Sequence, residues 1–98
     1  MALEVKWTKR AERNFHQTVQ YIESEWGARV AQKFVQRVNL FLKTLKDLPQ
    51  IGKIEVKEKG IRAFVLSRHN TVFYRIKGKQ IILLAIFDNR ANPDKKPK

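Results

Sequence analysis

Arg62, His69 and Arg90 are the side chains in the C-terminal half of this sequence best suited to chemistry on an anion. A guanidinium fork serves a phosphate or a carboxylate equally well, and a histidine moves protons near neutral pH. Tyr74 and Arg75, adjacent in an apolar stretch, and Lys95 and Lys96 near the C-terminus are candidate contacts to a substrate or target. Each reactive candidate has a structural alternative. Arg90 follows Asp88 by two positions and is equally placed to form an ion pair with it. His69 stands at the entrance of a strand pattern, where histidines are usually surface or turn residues. A tyrosine in an apolar strand is more often core, with its hydroxyl satisfied. His16, on the polar side of a helical pattern, carries no functional weight. The chain has no cysteine, which removes disulfides, thiolate nucleophiles and cysteine-rich zinc sites together. No metal and no cofactor is expected.

The charge points to the class of partner. Against 9 Asp and Glu stand 21 Lys and Arg, a formal net charge of +12 in 98 residues. Such a surface seeks polyanions: nucleic acid first on composition alone, then an acidic protein or an anionic membrane surface. With 43% hydrophobic and 31% charged residues the chain has the balance of a folded globular protein. Its length suits one domain, expected over residues 1–90, with 91–98 a basic flexible tail. No apolar run approaches the roughly 18 to 20 residues that span a bilayer, and residues 1–10 lack a signal-peptide run. A cytoplasmic protein without membrane insertion is expected.

The elements that must position these residues follow from periodicity. Leu3, Val5 and Trp7 alternate with Glu4 and Lys6, the pattern of a half-buried strand. Thr8 can cap a helix in which Ala11, Phe15, Val19, Ile22 and Trp26 share one face. Gly27 stops that helix. A second stripe, Ala31, Phe34, Val35, Val38, Leu42 and Leu45, must end by about Leu48 because Pro49 follows. The two helices form a hairpin whose apolar stripes need a sheet to cover, which gives an α+β layer. Beyond Gly52, Ile54 and Val56 and then Ile61 to Leu66 read as one or two strands around the polar run Lys57 to Gly60. Thr71 to Ile76 and Ile81 to Phe87 form a hairpin around Gly78. Seven consecutive apolar residues, 81–87, cannot all face one way, so this strand is expected inside the sheet with both faces covered. From Asp88 onward order is expected to fade.

The order β-α-α-β-β-β, with a three- or four-strand antiparallel C-terminal sheet, resembles the RelE/ParE family of type II toxin-antitoxin systems over nearly the whole chain. Leu3 to Phe15 (LEVKWTKRAERNF) is similar to the family's opening strand and helix start. Phe41 to Gly52 (FLKTLKDLPQIG) is similar to its second-helix ending. Arg62, His69 to Ile76 (HNTVFYRI) and Ile81 to Pro93 (IILLAIFDNRANP) resemble its strand arginine, its YRI-type strand and its last apolar strand leading to an Arg and a Pro. The resemblance implies a growth-inhibiting toxin, of the kind that also stabilises plasmids, neutralised by a cognate acidic antitoxin. Such an antitoxin is the acidic partner that the charge calls for. A homodimer or a toxin-antitoxin hetero-oligomer is the implied assembly.

The family divides into ribosome-dependent messenger RNA endonucleases and toxins that bind DNA gyrase. Metal-free RNA cleavage needs phosphate-stabilising cations and a proton shuttle. The resemblance offers Arg90, Arg62 and His69 for these roles. Phe64 and Thr71, however, stand where the ribonucleases carry further cations, and residues 92–98 hold no tyrosine or histidine to serve as the terminal acid. Asp88, where relatives often have histidine, orients Arg90 but repels phosphate. The sequence therefore favours a ParE-like binding toxin directed at gyrase. The alternatives are a metal-independent endoribonuclease and a degenerate, non-toxic member of the family.

Overall fold

The computed structural model describes residues 3–90. The first strand, β1 (Glu4–Trp7), leads to α1 (Lys9–Trp26) and α2 (Ala28–Asp47). Thr8 caps α1, its Oγ1 accepting from the Ala11 N–H at 3.1 Å. Gly27 alone separates the helices, with φ of 93°, a left-handed-region backbone that a residue with a Cβ resists. Then follow β2 (Lys53–Val56), a single 3-10 turn, β3 (Ile61–Ser67), β4 (Asn70–Lys77) and β5 (Gln80–Asp88). The C-terminal set thus has four strands, the upper of the two expected counts. β1 joins them in parallel beside β5, giving the order β1-β5-β4-β3-β2 with every other pairing antiparallel.

Both helices lie on one face of the sheet. Ala11, Phe34, Val38, Phe41 and Leu45 from the helices pack on Leu66, Val72, Tyr74, Ile81, Leu83 and Ile86 from the strands. Phe64 stacks on Phe41 at 4.6 Å between ring centroids, so the position where a second cation was sought is core. The other face carries a small cluster of strand residues, Ile61, Phe73 and Phe87. β5 is an inner strand, as expected, but the helices cover only one of its faces.

β5 serves both faces because its register with β4 shifts once: Phe73 faces Ala85 while the next residue, Tyr74, faces Leu83. Leu84 is the extra residue of a β-bulge, and the alternation changes phase there. β1 pairs with β5 only as far as Leu83. Beyond it the exposed edge of β5 is satisfied by α1: the Thr8 Oγ1 donates to the Leu83 carbonyl at 2.8 Å, and the Asn14 Oδ1 accepts from the Ile86 N–H at 3.2 Å. The start of α1 is thereby fastened to the bulge.

Two expectations are corrected. Trp26, placed on the core stripe, is 54% exposed: at the last position of α1 it meets Tyr21 edge to face and lines an open groove instead of packing in the core. Order also does not fade at Asp88. Asn89 donates its N–H to the His69 carbonyl at 2.8 Å and accepts from Thr71 Oγ1 at 2.7 Å. The expected tail, 91–98, lies outside the described residues and takes Lys95 and Lys96 with it.

Candidate functional site

Where α1, the first half of α2 and the far ends of β4 and β5 meet, the molecule has an open groove of about 850 Å³. Asp88, Arg90 and His69 line one wall, and Arg10, Lys33 and Arg37 stand around it. Its apolar part is formed by Tyr21, Trp26 and Val30, 45%, 54% and 42% exposed. Tyr21 and Trp26 meet edge to face at 5.7 Å. A basic rim around exposed aromatic and aliphatic surface has the chemistry to accept a segment that is itself acidic and amphipathic.

Arg90 is held by Asp88. Its Nε and Nη2 donate to Asp88 Oδ1 and Oδ2, both at 3.0 Å, and its backbone N–H donates to Oδ1 at 2.9 Å. The guanidinium carbon also lies 5.9 Å from the Tyr21 ring centroid, a cation-π contact. The bond from Arg90 holds the Asp88 carboxyl below its usual range, and the same bond raises Arg90. Both side chains are nearly half exposed, so the pair orients Arg90 more than it stabilises the fold. His69 adds a weaker charge interaction with Asp88.

Arg62 belongs elsewhere. It pairs across the strands with Tyr74, and its Nη1 donates to the carbonyls of Gly52 at 2.7 Å and Gln50 at 3.3 Å. Ser67, on the groove wall, lies five positions further along β3, about 16 Å of strand. Tyr74 is fully buried. Its hydroxyl donates to the Pro49 carbonyl and accepts from the Gly52 N–H, both at 2.8 Å. Burial pushes the phenol above its usual pKa, opposed by the Gly52 bond and the Arg62 charge. Neither its ring nor its oxygen is available to a target. Arg75 points to the sheet face away from the helices, half-buried, with its Nε unpartnered among the described residues.

Of the residues named from sequence, the structure therefore brings together Arg90 and His69 and leaves Arg62 apart. Sequence reasoning missed Tyr21, Val30, Arg10, Lys33 and Arg37. Tyr21 and Val30 carried a signal, as large apolar residues outside the helical stripes. Lys33 and Arg37, one helical turn apart, carried another. Among the described residues no group of His, Cys, Asp and Glu is arranged to hold a metal ion, and no helix is long and apolar enough to cross a membrane.

The sequence matches the family described as ParE toxin of type II toxin-antitoxin system, parDE, over residues 5–93. The chain belongs to the ParE toxin family. The RelE/ParE resemblance is thus borne out, and the α+β fold agrees with solved structures. A chromosomal ParDE toxin-antitoxin system from P. aeruginosa is 26% identical with a TM-score of 0.74, covering 89% of this chain and 96% of that one. The RelBE2 toxin-antitoxin complex from Mycobacterium tuberculosis is 18% identical with a TM-score of 0.61, covering 91% and 100%. The YoeB-YefM complex from Staphylococcus aureus, 16% identical with a TM-score of 0.55, covers 89% and 97%. A search of curated proteins finds no match. The family match takes in the residues that build the groove and the whole sheet, β1 from Val5 onward.

Proposed function

We propose that this ParE-family toxin inhibits growth by binding a protein, with DNA gyrase the first candidate target, and that it cleaves no RNA. The observation that carries this reading is the capture of Arg90 by Asp88. The arginine best placed for a scissile phosphate is neutralised by a carboxylate that repels one, and Arg62 is spent on the carbonyls of Gly52 and Gln50. Cations that do not converge cannot share the charge of a phosphorane-like transition state.

The cognate antitoxin acts in the cytoplasm by seating an acidic, amphipathic segment in the groove. Apolar side chains of that segment cover Trp26, Val30 and Tyr21, and its carboxylates meet Arg10, Lys33 and Arg37. The solved relatives from M. tuberculosis and S. aureus are themselves complexes of a toxin with its antitoxin or partner chain, which supports a partner of this kind. A second reading, messenger RNA cleavage, is favoured by one observation: His69 and Arg90 share a wall of the groove.

The experiment is tight induction of the chain without its antitoxin, following DNA and protein synthesis by separate labels in the first minutes. DNA synthesis falls first with translation intact if the binding reading holds. An early loss of protein synthesis with cut messenger RNA overturns it in favour of the second reading. No fall in either removes the toxic activity altogether.

A further inference from the structure

On the sheet face turned away from the helices, one row of directly paired residues runs Val56, Ile61, Arg75, Ile82 and Lys6 across all five strands. Arg75 is the central member, with Ile61 and Ile82 on either side of it and Phe73 two residues before it on the same strand and face. Its Nε is buried from solvent and has no hydrogen-bond partner among the described residues. No described helix packs on this face, whose cluster is built from strand residues. The exposed Val65, 66% accessible, extends the apolar surface toward the other end of β3.

A buried donor without an acceptor is rare in a native fold and destabilises it, so its presence asks for a reason. A guanidinium in apolar surroundings is a strong donor awaiting an acceptor, since a carboxylate reaching it gains a charge-assisted, two-point bond out of water. The surroundings select the acceptor. A nucleic-acid backbone presents a phosphate at every step and calls for a track of cations, whereas here the Arg75 guanidinium sits between isoleucines and the lysines of the face stand at its margins: Lys6, at the end of the row, is paired with Glu4 at 2.8 Å, and Lys77 is exposed at the end of β4. A single carboxylate set among apolar side chains fits; a phosphate chain does not. The groove lies on the opposite face, at the opposite end of β4 and β5, so an antitoxin segment seated there leaves Arg75 uncovered.

We propose that the sheet face around Arg75 is the surface that engages the inhibited protein, and that Arg75 receives one carboxylate from an acidic, apolar segment of it. This rests on the reading of the chain as a toxin that acts by binding. It adds the position and the chemistry of the contact, and it assigns target and antitoxin to different faces.

The test compares the full chain with Arg75→Met, which keeps the length and apolar stem but not the charge, and with Arg75→Lys, which keeps the charge but not the fork. Growth inhibition is measured by inducer titration without antitoxin, and the affinity of the purified toxin for its cognate antitoxin by calorimetry. For Arg75→Met, toxicity falls at least tenfold, antitoxin affinity stays within twofold of the parent, and the melting temperature does not fall. Arg75→Lys recovers part of the toxicity. A parent chain that is toxic and an Arg75→Met variant that is equally toxic overturn the proposal. So does a variant that loses antitoxin affinity in step with toxicity, since the carboxylate then belongs to the antitoxin. A parent chain that is not toxic, or that cuts RNA, fails the underlying reading instead.

Discussion

Replacing Tyr74 with phenylalanine removes one oxygen atom and two hydrogen bonds, and the cost can be worked from their surroundings. The Gly52 N–H that donates to the hydroxyl lies in a buried residue, so no water replaces the lost acceptor. An unsatisfied buried donor costs about 1 to 3 kcal/mol. The bond to the Pro49 carbonyl is only partly buried, and water takes it over at little cost. The expected loss is about 2 kcal/mol, which for a domain of this size lowers the melting temperature by roughly 8 to 16 °C. Urea unfolding followed by far-ultraviolet circular dichroism measures it directly. The phenol adds a second signature. Its pKa is raised in the folded state, so its contribution is complete below the unfolded value near 10 and is lost as pH rises through the folded value. The parent chain therefore destabilises in this alkaline window through Tyr74, and the variant lacks that component. A loss below about 0.5 kcal/mol, or identical alkaline profiles, would refute the view that this hydroxyl pins the segment after α2 to the sheet.

Gly52→Ala attacks the same junction from the other side. The added Cβ would stand 2.7 Å from Tyr74 Cε1 and from its hydroxyl oxygen, and the crowding costs about 1 to 3 kcal/mol, read by the same urea titration. Lys33→Glu with Arg37→Glu reverses two charges beside the groove. It weakens antitoxin binding at least tenfold at low salt, mainly through the association rate, and the gap narrows at about 0.5 M salt; stopped-flow association at two ionic strengths checks it. Asp88→Asn releases Arg90 and barely moves the melting temperature, because the pair is exposed. RNA cleavage by this variant, absent in the parent, would show that Asp88 alone suppresses catalysis.

Local signals carried the helices. Thr8, Gly27 and Pro49 mark the boundaries of α1 and α2 because capping, left-handed backbone and the missing proline N–H act within a few residues. The identity of Tyr74 as core with a satisfied hydroxyl was legible too, since an apolar strand seldom buries a free phenol. The role of Arg62 was not. Its acceptors are carbonyls 10 and 12 residues away in a segment without regular structure, and backbone acceptors leave no trace in side-chain pattern. Trp26 was misjudged for a related reason. A helical stripe gives the direction of a side chain, while exposure depends on what packs against it, and Trp26 meets Tyr21 at an open groove. The alternative reading of Arg90, an ion pair with Asp88, was visible at a spacing of two residues, and the structure contains that pair.

The bulge at Leu84 links the fold to the groove. In a regular strand Ile81, Leu83, Ala85 and Phe87 share the helix side, and Asp88 falls on the opposite face with Ile82. One extra residue changes the phase: Ile86 turns to the helices, Phe87 joins Phe73 on the far side at 6.1 Å, and Asp88 reaches the groove wall. The carboxylate that captures Arg90 owes its side of the sheet to this residue. The seven-residue apolar run is the imprint of the same device, since a strand that switches faces midway has no single polar side to display. Thr8 and Asn14 hold the bulged edge from α1, so the helix that forms one wall of the groove also fixes the strand that forms the other. The relative position of basic rim and Asp88–Arg90 pair is thereby set by hydrogen bonds between the Thr8 and Asn14 side chains and the β5 backbone as well as by side-chain packing.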